Sequence, residues 1–305
     1  SKFNDIYHLS NAKKINFIKT DNIDILIDLS GHTSRNCLSV MKSKPSPLQM
    51  TWLGFSETTG LKEIDYIICD KISLPKSEEK WFVEKPLRLN NSYYCFSNPG
   101  TDKFKIEEKN NKTLVFGSFC NVRKVNNDVL SLWSKILKKL PESKLLLKSE
   151  FYRDRDVKNS IHKYFIEKNI NKERIKFEND TLREDYLLSY NHIDLILDTF
   201  PYPGGTTTCE ALFMGTPVVT MQGNSFLSRN TENILRNSGF SSFIANNEKE
   251  YINLVTSFNE NLKKNIIKKE KVREKFLKSS LMNPKNFSED FKIKIRSAWV
   301  NFCNE

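Results

Sequence analysis

The chain is predicted to be an α/β protein of two domains, the second built on a parallel sheet with helices on both faces. Three observations predict it. From residue 112 onward, short apolar runs alternate with segments of helical period, joined by short connections. Residues 24–29, Asp-Ile-Leu-Ile-Asp-Leu, form the near-continuous apolar run of a parallel strand covered on both faces. Finally, 305 residues exceed the usual size of one domain, so two domains sharing a cleft are expected.

In order, the strand at 24–29 ends at Ser30-Gly31-His32-Thr33, small and polar groups suited to a strand tip. A second apolar stretch, 50–55, runs through Gly54 into Ser56-Glu57-Thr58-Thr59-Gly60, and a third, 64–69, ends at Asp70. Residues 96–111 are polar, carry Pro99-Gly100, and read as a linker. A strand is expected at 114–119. Val129, Trp133, Ile136, Leu137 and Leu140 then recur at helical spacing until Pro141 stops them. Strands at 145–147, 175–177, 194–199 and 217–221 alternate with helices around 161–166, 182–191 and 207–214. Near the end, Phe291, Ile295, Trp299 and Phe302 return to helical spacing. The expected domains are 1–100, 101–286, and a terminal helix, 287–305, that crosses back to the first domain.

Composition narrows the function classes. Hydrophobic residues at 38% and aromatics at 11% exclude intrinsic disorder. No apolar run is long enough to span a bilayer and no charged-then-apolar leader opens the chain, so no membrane span is expected. The six cysteines are scattered without a CxxC pair, and the histidines add no ligand spacing. Reduced thiols in a cytoplasmic protein, and no metal, are the expectation. The net charge is +11. Its densest basic run, 263–278, also carries Ile266, Ile267, Val272, Phe276 and Leu277, the pattern of a surface helix. Without aromatic-basic interleaving, nucleic acid is not an expected partner.

Open α/β sheets bind ligands beyond the carboxyl ends of their strands, and the candidate chemistry lies there. The expected strand 194–199 runs into Pro201-Tyr202-Pro203-Gly204-Gly205, after which Thr206, Thr207 and Thr208 open a helix. Unpaired N–H groups at a helix N-terminus attract an anion, and Gly204 and Gly205 permit close approach. Glu210 is placed to accept from ribose hydroxyls. A capped helix without a ligand would carry the same residues. Lys124, on the loop after the first strand of this domain, can reach a phosphate at that turn, or be an ordinary solvated lysine. Arg183 and Tyr186, after Thr181, share a helical face, a donor beside a ring on which a base could stack, or a plain helix surface.

The run 204–221, with its TTTCEALFMGTPVVT core, resembles the catalytic region of the O-GlcNAc transferase and SPINDLY family, bacterial members more closely than animal ones. Residues 24–33, 45–60 (PSPLQMTWLGFSETTG), 116–124 and 192–198 agree in order and spacing. The resemblance implies a GT-B fold of two Rossmann-like domains, the first incomplete here. It implies an inverting, metal-independent glycosyltransferase that moves a sugar from a nucleotide sugar, UDP-GlcNAc, to Ser or Thr hydroxyls of proteins. No cofactor is implied. SPINDLY-type members use GDP-fucose, so protein O-fucosylation is the alternative, as is a fragment that binds nucleotide sugar without turnover. The chain is expected to be a piece of a longer protein with tetratricopeptide repeats.

Position by position, the resemblance gives Lys124 the diphosphate and leaving group, and Thr206 and Thr207 the phosphates. Glu210 takes the ribose position. Arg183 and Tyr186 fall at the base, after Thr181. Asn121 agrees with bacterial members, as does Gly205 before the Thr pair. Leu53 and Gly54 match the loop flanking the donor sugar, and His32 is a candidate lining residue. Ser56-Glu57 departs from the family pattern of Pro and a small or amide residue.

Overall fold

The computed structural model describes residues 3–107, 113–263 and 268–304. It divides into two compact units. Unit 1 comprises Ser1–Cys95, Ser225–Leu227 and Pro284–Glu305, and unit 2 comprises Phe96–Asn224 and Ser228–Asn283.

Unit 1 opens with helix α1 (Asn11–Thr20), capped by Ser10 Oγ, which accepts from the Lys13 N–H. Strand β1 (Ile25–Asp28), the short helix α2 (Leu38–Met41), and strands β2 (Leu48–Thr51), β3 (Tyr66–Cys69) and β4 (Lys85–Arg88) follow. The four strands form one parallel sheet in the order β1-β2-β3-β4. Every residue of β2 is buried. Of its two polar residues, Gln49 donates through its amide nitrogen to the Met41 and Glu63 carbonyls, each at 2.8 Å, which offsets part of the cost of its burial. The apolar stretch at 50–55 is strand only as far as Thr51, and the chain turns at Leu53, whose φ is 71°. β4 carries a proline and two charges, which hid it in the sequence; it lies on the sheet edge, where proline is tolerated.

Unit 2 alternates strands and helices: β5 (Val115–Ser118), α3 (Asn127–Lys139), β6 (Lys144–Lys148), α4 (Arg155–Glu167), β7 (Ile175–Glu178), α5 (Arg183–Leu188), β8 (Leu195–Leu197), α6 (Thr206–Phe213), β9 (Val218–Met221), α7 (Asn230–Asn237), β10 (Ile244–Ala245), α8 (Glu248–Lys263) and α9 (Lys269–Leu277). All six strands are parallel, in the order β10-β9-β8-β5-β6-β7. The chain begins in the middle at β5, winds outward through β6 and β7, then returns to β8 and winds the other way. That reversal leaves a crevice beyond the carboxyl ends of β5 and β8. Phe116, Leu145, Leu147, Leu195 and Val219 of the sheet and Trp133 and Leu137 of α3 sit in one core.

The stretch read as a linker is not one. Phe96 packs on Phe213 and Phe276, and Phe104 on Phe213, with centroids 6.0–6.4 Å apart. Two aromatics anchor a polar segment to unit 2, and the division falls at Cys95; residues 108–112 lie outside the described residues. The helix expected at 182–191 is α5 followed by a separate 3-10 turn, Ser189–His192. Of the basic run, Ile266 and Ile267 lie outside the described residues, and α9 is less solvated than its charge suggests. Val272 and Phe276 are buried, the Arg273 guanidinium donates to Phe213 O at the end of α6, and Lys269 Nζ donates to Tyr190 O at 2.6 Å. α10 (Pro284–Asn304) packs on the sheet of unit 1, where Phe287 and Phe291 lie 5.8 and 5.0 Å from the Trp52 ring. Asp290 accepts from the backbone N–H and carboxamide of Asn90, each at 2.7 Å. Among the described residues, no helix is long and apolar enough to cross a membrane.

Candidate functional site

The carboxyl ends of β5 and β8 deliver two loops to one place. Asn121, exposed, makes the first loop turn: its carboxamide oxygen accepts from Arg123 N–H at 3.0 Å and starts the 3-10 turn Val122–Lys124. This carries Lys124 Nζ to the Pro203 carbonyl of the second loop, 2.8 Å away, and over the Tyr202 ring at 3.9 Å. Burial pushes the Lys124 amine below the usual lysine range, while Asp198 and then Cys120 favour its charged form.

The second loop ends at Gly205, which precedes α6 without a side-chain cap. The N–H groups of Thr206 and Thr207, in the first turn, have no acceptor within the helix and are left for another group. Gly204 is required by close approach: a Cβ there would lie 2.5 Å from Thr208 Oγ1. Ser118, Phe119, Cys120, Tyr190, Ile196, Asp198, Thr207 and Thr208 line a small pocket beside these groups.

Further along α6, Glu210 is buried and forms an ion pair with Arg183, the first residue of α5. Burial raises the Glu210 carboxyl, and the Arg183 guanidinium and Tyr186 hydroxyl pull it back down. Arg183 also lies over the Tyr186 ring, 6.0 Å from its centre. Tyr186 belongs to an aromatic group with Phe119 and Tyr190, and Tyr190 donates to Thr207 O at 3.1 Å. Burial raises both phenols. Lys124, Gly205, Thr206, Thr207, Glu210, Arg183 and Tyr186 therefore stand on adjoining segments at one end of one sheet, with Thr181 exposed just ahead of α5.

The remaining candidates belong to unit 1. Gly31 and Gly54 let two loops touch: a Cβ on Gly54 would fall 2.1 Å from Leu29 O, and one on Gly31 2.7 Å from Phe55 Cβ. Leu53 takes a left-handed conformation and stays 41% exposed, a strained loop position of the kind found at ligand clamps. His32 stands edge-on to Phe55, its Nε2 3.2 Å from Thr58 O. A carbonyl only accepts, so Nε2 carries the proton. The buried Glu84 accepts from the Thr58 hydroxyl and the Thr59 N–H, each at 2.7 Å, and holds this loop. Ser56 and Glu57, the departure from the family pattern, are also tied in: Ser56 Oγ lies 3.0 Å from the Tyr93 hydroxyl, and Glu57 accepts from Leu227 N–H at 3.1 Å.

Sequence reasoning passed over Asp198, Tyr190 and Thr231. Asp198 had a legible signal, a carboxylate at the end of an otherwise apolar strand. Thr231 had none, because it comes from a polar helix distant in sequence.

The sheet order makes unit 2 a doubly wound α/β domain, the class that binds ligands where its winding reverses. The chain belongs to glycosyl transferase family 41, whose model matches residues 2–98 and 101–291. It is 33% identical over 304 residues to a probable UDP-N-acetylglucosamine–peptide N-acetylglucosaminyltransferase SPINDLY of Petunia hybrida, covering 98% of this chain and 32% of that protein. It thus spans about a third of the length of the curated relatives it matches. The O-GlcNAc transferase of Thermobaculum terrenum, solved as a lysine-to-methionine mutant, superposes with a TM-score of 0.89 at 30% identity, over 98% of this chain and 57% of that one. The fold is accordingly of the GT-B type. The pneumococcal O-GlcNAc transferase GtfA in complex with UDP and GlcNAc shares the fold alone, at 12% identity and a TM-score of 0.55, over 97% of this chain and 60% of that one.

Proposed function

We propose that the chain carries the donor site of an inverting, metal-independent glycosyltransferase that moves GlcNAc from UDP-GlcNAc to Ser or Thr hydroxyls of proteins. The observation that carries this reading is the Lys124 ammonium, held at the Pro203 carbonyl beside the uncapped N-terminus of α6. In an inverting displacement the acceptor oxygen bonds to the anomeric carbon from one face while the bond to the diphosphate breaks on the other. The departing UDP gathers negative charge, and fixed donors aimed at it do what a metal ion does elsewhere. Lys124 and the Thr206 and Thr207 N–H groups are those donors, with Asn121 and Gly205 shaping their loops. Glu210 takes the ribose hydroxyls, and Thr181, Arg183 and Tyr186 the base. His32, Leu53 and Gly54 are assigned to the sugar side. The scattered cysteines support a cytoplasmic setting.

The test is calorimetric titration of UDP and GDP into the protein and into Lys124→Ala, followed by product detection with UDP-GlcNAc and with GDP-fucose. UDP binding that collapses in the variant supports the site, and turnover should fall on the order of 100- to 1000-fold. Transfer from GDP-fucose alone would replace the donor, and a rate abolished by EDTA would refute metal independence.

A further inference from the structure

The turn leading into α6 is held from beneath by a polar network. Asp198, fully buried, closes β8. Its Oδ1 accepts from Gly204 N–H at 2.8 Å and its Oδ2 from Thr220 Oγ1 at 2.7 Å, while the Tyr251 hydroxyl is shared between its carbonyl, at 3.2 Å, and Val219 O, at 3.0 Å. The other side of Gly204 is held too. Thr231 Oγ1, in the first turn of α7, donates to Gly204 O at 3.0 Å and lies 3.0 Å from Thr208 Oγ1. Gly204 is gripped through both its N–H and its C=O.

We infer that Asp198 and Thr231 are positioning residues for the diphosphate site: they fix the Gly204 backbone that aims the first turn of α6. This rests on the proposed reading of Lys124 and α6. A lone carboxylate in an apolar interior is costly, and this one is retained with several donors around it. Burial raises the Asp198 carboxyl, and Thr231, Thr220, the Gly204 N–H and the Lys124 charge oppose that rise. Asp198 therefore shapes the turn from beneath, through the Gly204 N–H.

The experiment is calorimetric titration of UDP into the protein, Lys124→Ala, Asp198→Asn, Thr231→Val and Thr231→Ser, with thermal unfolding of each. Asparagine keeps one oxygen but loses the second acceptor that Asp198 offers, so it cannot hold both Gly204 N–H and Thr220 Oγ1 as the carboxylate does. Folded Asp198→Asn should bind UDP roughly tenfold more weakly. Thr231→Val should weaken binding and Thr231→Ser restore it. Should Asp198→Asn not fold, the two Thr231 variants decide. UDP binding lost in Lys124→Ala but unchanged in Asp198→Asn and Thr231→Val overturns the positioning role alone. Failure of the unaltered protein to bind UDP overturns that role together with the proposed function.

Discussion

Arg183 and Glu210 form an ion pair between the start of α5 and the body of α6, with the Arg183 side chain 54% exposed and the Glu210 side chain only 3%. Each serves a different solvent. The carboxylate is held charged in the interior by a cation that remains in water and can turn toward a ligand.

Arg183→Ala is therefore expected to weaken UDP binding and to move its acid limb upward in pH. The sign follows from the causes: burial raises the Glu210 carboxyl, and Arg183 and then Tyr186 lower it. Binding that needs the carboxylate is present above its pKa and lost as pH falls through it. Without Arg183 that loss begins at higher pH. The loss of stability should stay near 1 kcal/mol, because solvent screens the exposed partner. Titration of UDP over the acid range checks this, and an unmoved acid limb would sink it.

Gly204→Ala should cost both stability and binding. The new methyl meets Thr208 Oγ1 at 2.5 Å and Thr207 Oγ1 at 2.9 Å, so the first turn of α6 must shift. A cost of about 1–3 kcal/mol in urea unfolding is expected for such overpacking. UDP affinity should fall with it, whereas Gly60→Ala, where nothing lies within 4 Å of the added carbon but φ is +73°, should cost stability without touching affinity.

Trp133 is buried in the unit 2 core, and its indole N–H has no hydrogen-bond partner among the described residues. Trp133→Phe removes that orphan donor together with some volume, so it should cost much less than Trp133→Ala, for which about 3–5 kcal/mol is expected. Equal losses in the two variants, measured by chemical unfolding, would contradict this account of the site.

Phe291→Ala should loosen α10 from its sheet. The ring lies 5.0 Å from Trp52 and 5.8 Å from Phe287, and it is only partly buried. A loss of roughly 1–3 kcal/mol is expected, below the cost of a fully buried phenylalanine. Trp52 fluorescence should report the change directly.

Most of unit 2 was legible because its strands are apolar and its helices periodic, as at Val129, Trp133, Ile136 and Leu137. What escaped was carried by contacts distant in sequence. β4 is a strand because β3 lies beside it, despite Pro86. β10 has two residues, too few for any period. α7 is polar throughout its first turn and buried all the same. At the site, local motifs exposed the glycine turn and the threonines, because helix-terminus chemistry is written in consecutive residues. The pairing of Arg183 with Glu210 and the bond from Thr220 to Asp198 were not legible, since each joins residues more than 20 positions apart.

Unit 1 is assembled from three separate stretches of chain, and the polypeptide passes between units at residues 95/96, 224/225, 227/228 and 283/284. Phe226, in the middle stretch, is 1% exposed against Phe82 and Tyr93, and Ala298, in the last, is equally enclosed. During synthesis the four strands of unit 1 emerge first, yet the pieces that close their core follow only after nearly all of unit 2. The core of unit 1 therefore closes only after the residues of unit 2 have been synthesised. Unit 1, unlike unit 2, cannot be cut out as one continuous gene segment with its core intact.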